Sequence, residues 1–405
     1  MRPNMLCAAG AALICHFVAT AALAQSKYDA GASDTEIKIG NIMPYSGPVS
    51  ALSIVGKAEA AYFKMLNEQG GINGRKINFI SYDDAYSPPK TVEQARRLVE
   101  DDEILFMAGS FGTAGNSAIQ KYMNAKKVPQ IFIASAADKW ADPKRFPWSM
   151  GWMPSSRSEA RTYASYILKN IPDAKVAILY QNDDFGKEYL IGLKEGLGEK
   201  ASSMLVAEVA YEVTSPTIES QVVLIKSKEP TVLVNAATPK FAAQAIKKVG
   251  ELGWKPVQFL TNASSQFASV LRPAGLDNAQ GILSVQYIKD PADPAWRDDP
   301  DVQEWRAFMQ RYYPDGNKDD SQTLWGYGVG KAIAQVIRQC GNDLTRENVM
   351  RQAANLNYYN GVTLPGVKIK TSPTDFRPLE QFQMMRVNGE NWERFGEIVG
   401  ETSSD

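Results

Sequence analysis

Short apolar runs rich in isoleucine and valine alternate along the chain with longer stretches in which apolar residues recur every three or four positions. Most residues of these runs are apolar, and runs that are apolar throughout predict strands covered on both faces. They are residues 37–43, 77–82, 104–108, 130–134, 176–180, 205–210, 232–236 and 257–260. The stretches with helical spacing are residues 56–69, 91–101, 114–126, 161–170, 189–200 and 240–252. This alternation predicts an α/β fold built on doubly wound, mostly parallel sheets.

In such sheets, ligands bind beyond the carboxyl ends of the strands, where loops lead into helices. Loops at those positions are rich in Gly, Ser, Thr, Asn and Ala, whose N–H groups and hydroxyls suit an anionic group. These loops are residues 44–48, 109–115, 135–140, 182–186, 235–239 and 262–265.

The loop GSFGTAG at residues 109–115 carries the strongest of these signals. Gly112 and Gly115 let the backbone approach a ligand closely, and Thr113 offers a hydroxyl at the start of a helix. A carboxylate there would gain charge-assisted hydrogen bonds and the favourable end of the helix dipole. The pattern fits an ordinary helix cap and an anion site equally well.

The first residues have the pattern of an export signal. A charged start is followed by an apolar run over residues 6–23 and by the small-x-small site Ala22-Leu23-Ala24. We therefore predict a signal peptide over residues 1–24 and a mature protein in the periplasm. No cysteine follows the cleavage site, so a lipid anchor is not expected.

Removing residues 1–24 removes the only histidine, His16, and leaves Cys340 as the only cysteine. Histidine triads, His/Cys zinc sites and CxxC redox pairs are therefore excluded from the mature chain. We expect a binding protein and not an enzyme, with no cofactor and no bound metal. Cys340 is expected to be a small buried hydrophobe.

The charge balance and the length limit which partners and which architecture are expected. Forty-four basic residues stand against forty-five acidic ones, which gives no indication of nucleic acid binding. A chain of 405 residues usually folds into two domains. No Gly/Ser-rich linker occurs between residues 34 and 365, so the two domains are expected to be intertwined in sequence.

Several motifs, in their order along the chain, resemble type I periplasmic solute-binding proteins of the branched-chain amino acid transporter family, such as the leucine/isoleucine/valine-binding protein. They are EIKIGNIMPYSGP at 36–48, NEQGGINGRKI at 67–77, YDD at 82–84, YQNDDFGK at 180–187 and GLKEGL at 192–197. The segments KWADP at 139–143 and FPWSMGW at 146–152 resemble more weakly the subgroup linked to aromatic acid uptake.

The resemblance implies two lobes joined by three hinge crossovers. One lobe would hold residues 34–154 plus 285–360, and the other residues 155–284 plus 361–400. A ligand would be enclosed between them by hinge closure and delivered to an ABC transporter permease. We expect the protein to act as a monomer.

The resemblance also assigns candidate ligand-binding residues. Thr113, with the backbone of Phe111 and Gly112, matches the family's hydroxyl for the ligand carboxylate, and residues 135–138 match its second carboxylate loop. Phe185, before a glycine, matches the aromatic residue that packs on the ligand. The full predicted set is Phe111, Gly112, Thr113, Ser135, Ala136, Ala137, Phe185, Asn262, Ala263 and Tyr287.

One departure from the family concerns the ligand's amino group. The amino acid binders place an acidic residue where this chain has TNAS at residues 261–264. A buried ammonium without an anion is costly, so this loss favours a ligand without an amino group, although Asp138 or Asp183 could substitute. We predict an aromatic or hydrophobic monocarboxylate. The alternatives are a branched-chain amino acid or amide, and a ligand-sensing partner of a membrane receptor kinase.

Overall fold

The computed structural model describes residues 27–400. The predicted signal peptide lies outside this range. Between residues 27 and 400, no helix combines the length and the apolar character that crossing a membrane requires.

Strands account for much of the core. They are β1 (Lys27–Tyr28), β2 (Glu36–Met43), β3 (Lys76–Asp83), β4 (Phe106–Ala108), β5 (Gln130–Ile133), β6 (Ser149–Gly151), β7 (Val176–Gln181), β8 (Leu205–Tyr211), β9 (Val232–Ala236), β10 (Val257–Leu260), β11 (Leu283–Gln286), β12 (Asp343–Leu344), β13 (Asn357–Tyr358), β14 (Ile369–Lys370), β15 (Gln381–Asn388) and β16 (Asn391–Gly400).

Helices fill the intervals. They are α1 (Ile54–Glu68), α2 (Pro88–Arg96), α3 (Thr113–Ala125), α4 (Ser156–Asn170), α5 (Asp184–Leu197), α6 (Ala201–Met204), α7 (Glu219–Lys226), α8 (Pro239–Glu251), α9 (Arg272–Ala274), α10 (Leu276–Ala279), α11 (Pro300–Tyr312), α12 (Ser321–Cys340) and α13 (Arg346–Ala353). Short 3-10 or π turns lie at Ser50–Ser53, Arg97–Asp101, Asp138–Ala141, Gly198–Lys200, Asn262–Ser264, Phe267–Leu271 and Pro294–Trp296.

Two large sheets organise these elements. The first has the strand order β3-β2-β4-β5-β6 and is parallel throughout. The second has the order β16-β15-β11-β10-β9-β7-β8, in which the β11–β15 and β15–β16 pairings are antiparallel and the others are parallel. The predicted α/β class with mostly parallel sheets is confirmed.

The sheets define two lobes, because each is covered by its own helices. Helix α1 packs against α11 and α12, which places the later helices with the first sheet. The chain passes between the lobes after β6, after β11, and between α13 and β15. The lobe division at residues 154/155, 284/285 and 360/361 remains a prediction. Strand β11 belongs to the second sheet as far as Gln286, so the middle boundary would lie after Gln286 and not at 284/285.

The burial of the strands follows from their composition and from their position in the sheets. Every residue of β9 is buried, as expected for an apolar run covered by helices on both faces. The edge strands β3 and β8 are only half-buried. Cys340 is buried at the end of α12, as expected for a small hydrophobe.

Candidate functional site

A cavity lies between the lobes, at the carboxyl ends of the parallel strands. The space within it that no atom fills, open solvent included, is about 690 Å³. Its wall is formed by Leu52, Tyr86, Phe111, Gly112, Thr113, Ala134, Ser135, Ala136, Met153, Pro154, Glu159, Phe185, Tyr189, Thr238, Pro239, Asn262, Ala263, Val285, Tyr287, Gln322 and Phe382.

Nine of the ten predicted site residues lie in this wall, contributed by both lobes. The exception is Ala137, which is not part of the wall and donates its N–H to Ser135 Oγ at 3.4 Å. Of the six predicted loops, only residues 44–48 contribute nothing to the wall. That these residues contact a ligand remains a prediction.

The first lobe supplies a polar corner made of hydroxyls and backbone amides. The hydroxyl oxygens of Thr113 and Ser135 lie 2.7 Å apart, and Trp140 Nε1 donates to Ser135 Oγ at 2.8 Å. Thr113 opens α3, whose first-turn N–H groups have no acceptor within the helix. No side chain caps these groups, because Gly112 occupies the cap position. The corner therefore offers several hydrogen-bond donors and carries no formal charge.

Gly112 and Tyr86 form a close contact beside this corner. Gly112 has φ 98°, and a Cβ added there would lie 2.7 Å from Tyr86 Cε2. Tyr86 itself has φ 59° and follows Ala85 at φ 50°, so two successive non-glycine residues adopt the left-handed region. The position of Tyr86 in the wall was not predicted, because it depends on this unusual turn.

In the second lobe, Phe185 lies in the wall at the start of α5. Asp183 caps this helix and accepts hydrogen bonds from the N–H groups of Phe185 and Gly186 at 3.0 and 3.3 Å. Gln181 Nε2 also donates to Asp183 at 2.6 Å. Asp183 is therefore occupied as a helix cap and does not line the cavity.

Asp138 is also occupied elsewhere. It forms ion pairs with Arg157 at 3.3 Å and Arg377 at 3.2 Å, and it accepts a hydrogen bond from the Ser155 hydroxyl. Neither Asp138 nor Asp183 is in the wall, so the suggestion that one of them replaces the family's acidic residue is wrong for this arrangement.

The wall nevertheless contains a carboxyl group that the sequence analysis missed, that of Glu159 on α4. Its Oε1 accepts hydrogen bonds from Tyr163 Oη at 2.6 Å and from the Asn262 N–H at 2.9 Å. Its Oε2 accepts one from Tyr189 Oη at 2.9 Å. Burial raises the pKa of Glu159 to about 7. The expectation of a pocket without an acid is therefore wrong.

The reason for this miss is spatial. Glu159 reaches the loop after β10 from a helix a hundred residues earlier, and its carboxyl contacts the same Asn262 where the loop sequence carries no acid. A glutamate in the first turns of a helix is ordinarily a solvated residue that favours the helix dipole. The only sequence signal for a buried hydrogen-bond partner is Tyr163, which lies four residues later and therefore on the same face of the helix.

The two lobes also contact each other outside the cavity wall. Lys139 of the first lobe forms an ion pair with Asp184 of α5 at 2.5 Å, and the Ser117 hydroxyl donates to the same carboxylate at 3.3 Å. The hydrogen bond from Lys139 lowers the pKa of Asp184. Gln181 Nε2 donates to Tyr86 Oη at 3.4 Å. The lobes are thus in contact with each other through the Lys139–Asp184 and Gln181–Tyr86 pairs.

Sequence comparison identifies relatives that match more than half of the chain. A family model described as periplasmic binding protein matches residues 36–391. The Leu/Ile/Val-binding protein homolog 1 of Brucella suis biovar 1 (strain 1330) is 23% identical over 326 residues, which covers 78% of this chain and 82% of that protein. The Leu/Ile/Val-binding protein homolog 7 of Brucella abortus (strain 2308) is 24% identical over 249 residues, covering 58% of this chain and 61% of that protein.

Solved structures share the fold at low sequence identity. A branched-chain amino acid ABC transporter protein from Thermus thermophilus with bound valine has a TM-score of 0.81 at 18% identity, covering 91% of this chain and 98% of that chain. A solute-binding protein from Rhodopseudomonas palustris BisB5 in complex with 3,4-dihydroxybenzoic acid has a TM-score of 0.74 at 17% identity, covering 90% and 97%. The chain therefore has the type I fold of these structures and belongs to the periplasmic binding protein family.

Proposed function

We propose that this protein captures a small carboxylate with an aromatic or hydrophobic body between its lobes and delivers it to an ABC transporter permease. The single observation that carries the proposal is the uncharged, donor-rich corner of Thr113 and Ser135 in the wall of the interlobe cavity.

The corner is suited to a carboxylate for electrostatic reasons. The N–H groups that open α3 carry the positive end of the helix dipole, and the two hydroxyls can turn their hydrogens towards an anion. Hydrogen bonds to a charged oxygen are about twice as strong as neutral ones. They would offset the cost of removing a carboxylate from water, which is several kcal/mol without such partners.

The rest of the wall supports an apolar body for the ligand. It includes aliphatic, thioether and ring side chains, namely Leu52, Phe111, Met153, Phe185, Val285, Tyr287 and Phe382. Trp325 Nε1 donates to Tyr287 Oη at 2.8 Å and so fixes the orientation of that ring. The structural relative with bound 3,4-dihydroxybenzoic acid agrees with an aromatic acid as ligand.

A branched-chain amino acid is the second candidate, and Glu159 is the observation that favours it. A carboxyl in the wall could accept hydrogen bonds from an ammonium group, so the absence of an acid at residues 261–264 no longer argues against an amino group. The relatives named as Leu/Ile/Val-binding proteins and the relative with bound valine agree with this alternative. A sensing role beside a membrane receptor kinase would use the same cavity.

The proposal includes binding without catalysis, by a monomer in the periplasm. The hydroxyls of Thr113 and Ser135 contact each other and Trp140, and neither is hydrogen-bonded to a basic side chain among residues 27–400. Such a pair is not arranged as a nucleophile with its base.

Isothermal titration calorimetry tests the function directly. The panel contains benzoates, phenylpropanoids, aliphatic acids and branched-chain amino acids, each titrated into the mature protein. We expect dissociation constants near micromolar, about −8 kcal/mol, for at least one carboxylate class. Binding of leucine with silent benzoates would replace the favoured ligand by the second candidate, and silence of the entire panel would contradict carboxylate binding.

A further inference from the structure

The buried carboxyl of Glu159 lacks a positively charged partner. It is 5% exposed, and within residues 27–400 no lysine or arginine lies within ion-pair distance of it. The titratable groups that face it are the tyrosines Tyr163, Tyr189 and Tyr287. A carboxyl removed from water without a cation is unfavourable unless other donors compensate.

The donors present hold the carboxyl in place but leave one acceptor position unfilled. Oε1 receives two hydrogen bonds, from Tyr163 and from the Asn262 amide, whereas Oε2 receives only that of Tyr189. Tyr189 is itself fixed by Thr261, whose Oγ1 lies 2.5 Å from its hydroxyl oxygen. A carboxylate oxygen can accept two hydrogen bonds, so Oε2 can accept one more.

We propose that Glu159 is a specificity-determining residue that accepts a hydrogen bond from an N–H or O–H group of the ligand. The inference rests on the proposed function and deepens it. The substrate class becomes carboxylic acids that carry a second, donating group, either an ammonium or a hydroxyl, placed to reach the second-lobe wall while the carboxylate occupies the corner of Thr113 and Ser135.

A second buried glutamate shows what distinguishes Glu159. Glu59 on α1 is also fully buried and receives a hydrogen bond from Asn41 Nδ2 at 3.1 Å. Its Oε1 has no partner among the described residues, yet it does not line the cavity. Burial without a cation is thus shared by the two residues, whereas access to a ligand belongs to Glu159. Glu59 therefore supplies a matched control.

The test measures discrimination within pairs of ligands that differ only in the donor. The first pair is leucine and 4-methylpentanoate, which lacks the amino group. The second set is 3- and 4-hydroxybenzoate against benzoate. Dissociation constants are measured by calorimetry for the unchanged protein, Glu159→Gln and the control Glu59→Gln. The readout is the ratio of dissociation constants within a set, because a general disturbance of the site weakens both members alike.

The unchanged protein should bind the donor-bearing member of one set at least about tenfold more tightly, as expected for a hydrogen bond to a charged group. Glu159→Gln should reduce that ratio to within about threefold, and Glu59→Gln should leave it unchanged. A response confined to the leucine pair identifies an ammonium, and a response confined to the benzoates identifies a hydroxyl.

Two different failures can be told apart. If carboxylates bind but Glu159→Gln leaves both ratios unchanged, the role of Glu159 is overturned while the proposed function stands. If no carboxylate of either set binds the unchanged protein, the proposed function is overturned and the inference falls with it. If Glu159→Gln does not fold, Tyr189→Phe, which removes one donor to Oε2, takes its place, and an unchanged ratio there also counts against the inference.

Discussion

The two walls of the cavity achieve polarity in different ways. The first-lobe wall uses hydroxyls and helix-start amides from the loops that follow β4 and β5, with no charged group. The second-lobe wall contains a buried carboxyl, which α4 carries to the loop after β10. The first wall suits a negatively charged group, and the second suits a hydrogen-bond donor. The cavity is therefore polarised from one lobe to the other.

The difference in chemistry is also a difference in pH response. Nothing in the first wall titrates near neutral pH, whereas the pKa of Glu159 is raised by burial to about 7. A group whose pKa is higher in the folded state contributes stability that is fully present below its unfolded pKa and is lost as the pH rises through its folded pKa. For Glu159 this window runs from about 4.5 to about 7.

The largest expected effect is therefore a pH-dependent stability that belongs to the second wall. Between pH 5 and pH 8, the free energy of unfolding should fall by about 2–3 kcal/mol more in the unchanged protein than in Glu159→Gln, because only the former must ionise a buried carboxyl. Urea unfolding at both pH values measures this. Thr113→Val should show the same pH dependence of the free energy of unfolding as the unchanged protein. If Glu159→Gln also shows that same pH dependence, the two walls do not differ in their pH response.

Thr113→Val addresses the first wall. It removes a hydroxyl that we place against the ligand carboxylate, and it should weaken binding by about 1.5–3 kcal/mol. Calorimetry with the tightest ligand of the panel measures the loss. Thr162→Val serves as control, because the Thr162 hydroxyl bonds only to the Ser158 carbonyl within α4. Unchanged affinity in Thr113→Val would show that the anion lies elsewhere.

Gly112→Ala tests whether the shape of the first wall depends on its backbone. The alanine would have to adopt φ 98°, and its Cβ would lie 2.7 Å from the ring of Tyr86. The strain should lower the free energy of unfolding by about 1–3 kcal/mol and weaken ligand binding as α3 shifts. Gly74→Ala, at φ 80° with open space around it, is the matched control for the backbone term alone. Equal losses in the two variants would show that the Tyr86 contact is unimportant.

The contact between the lobes should have the smallest effect. Lys139→Met removes the ion pair with Asp184, whose side chains are 32% and 47% exposed. Such pairs contribute about 0.2–1 kcal/mol, so affinity should fall at most about fivefold, and its salt dependence should weaken. Lys194→Met removes a similar pair with Glu208 inside one lobe and should leave affinity unchanged. Equal effects of the two variants would show that Lys139 does not stabilise closure.

The fold and the first wall could be predicted from sequence because their signals are local. Apolar runs such as residues 232–236 match strands residue for residue, and the loop at 109–115 carries its glycines and Thr113 in one short stretch. The strand β6, only three residues long, was missed because such a segment has no periodicity to detect.

The second wall could not be predicted, because its chemistry depends on contacts between distant residues. Glu159 and Asn262 are far apart in sequence, and only the packing of α4 against the second sheet brings them together. The position of Tyr86 in the wall depends on Ala85 and Tyr86 both adopting the left-handed region, and neither residue type favours that conformation. The lack of an acidic residue at residues 261–264 therefore did not mean that the cavity wall lacks one.

A crystal structure with the tightest ligand of the panel tests the polarised cavity most directly. We predict a ligand carboxylate within about 3.2 Å of Thr113 Oγ1 and of a first-turn amide of α3, with a donor of the same ligand at hydrogen-bond distance from Glu159 Oε2. A carboxylate lying against the second-lobe wall, or a ligand bound outside the cavity between the lobes, would contradict the account.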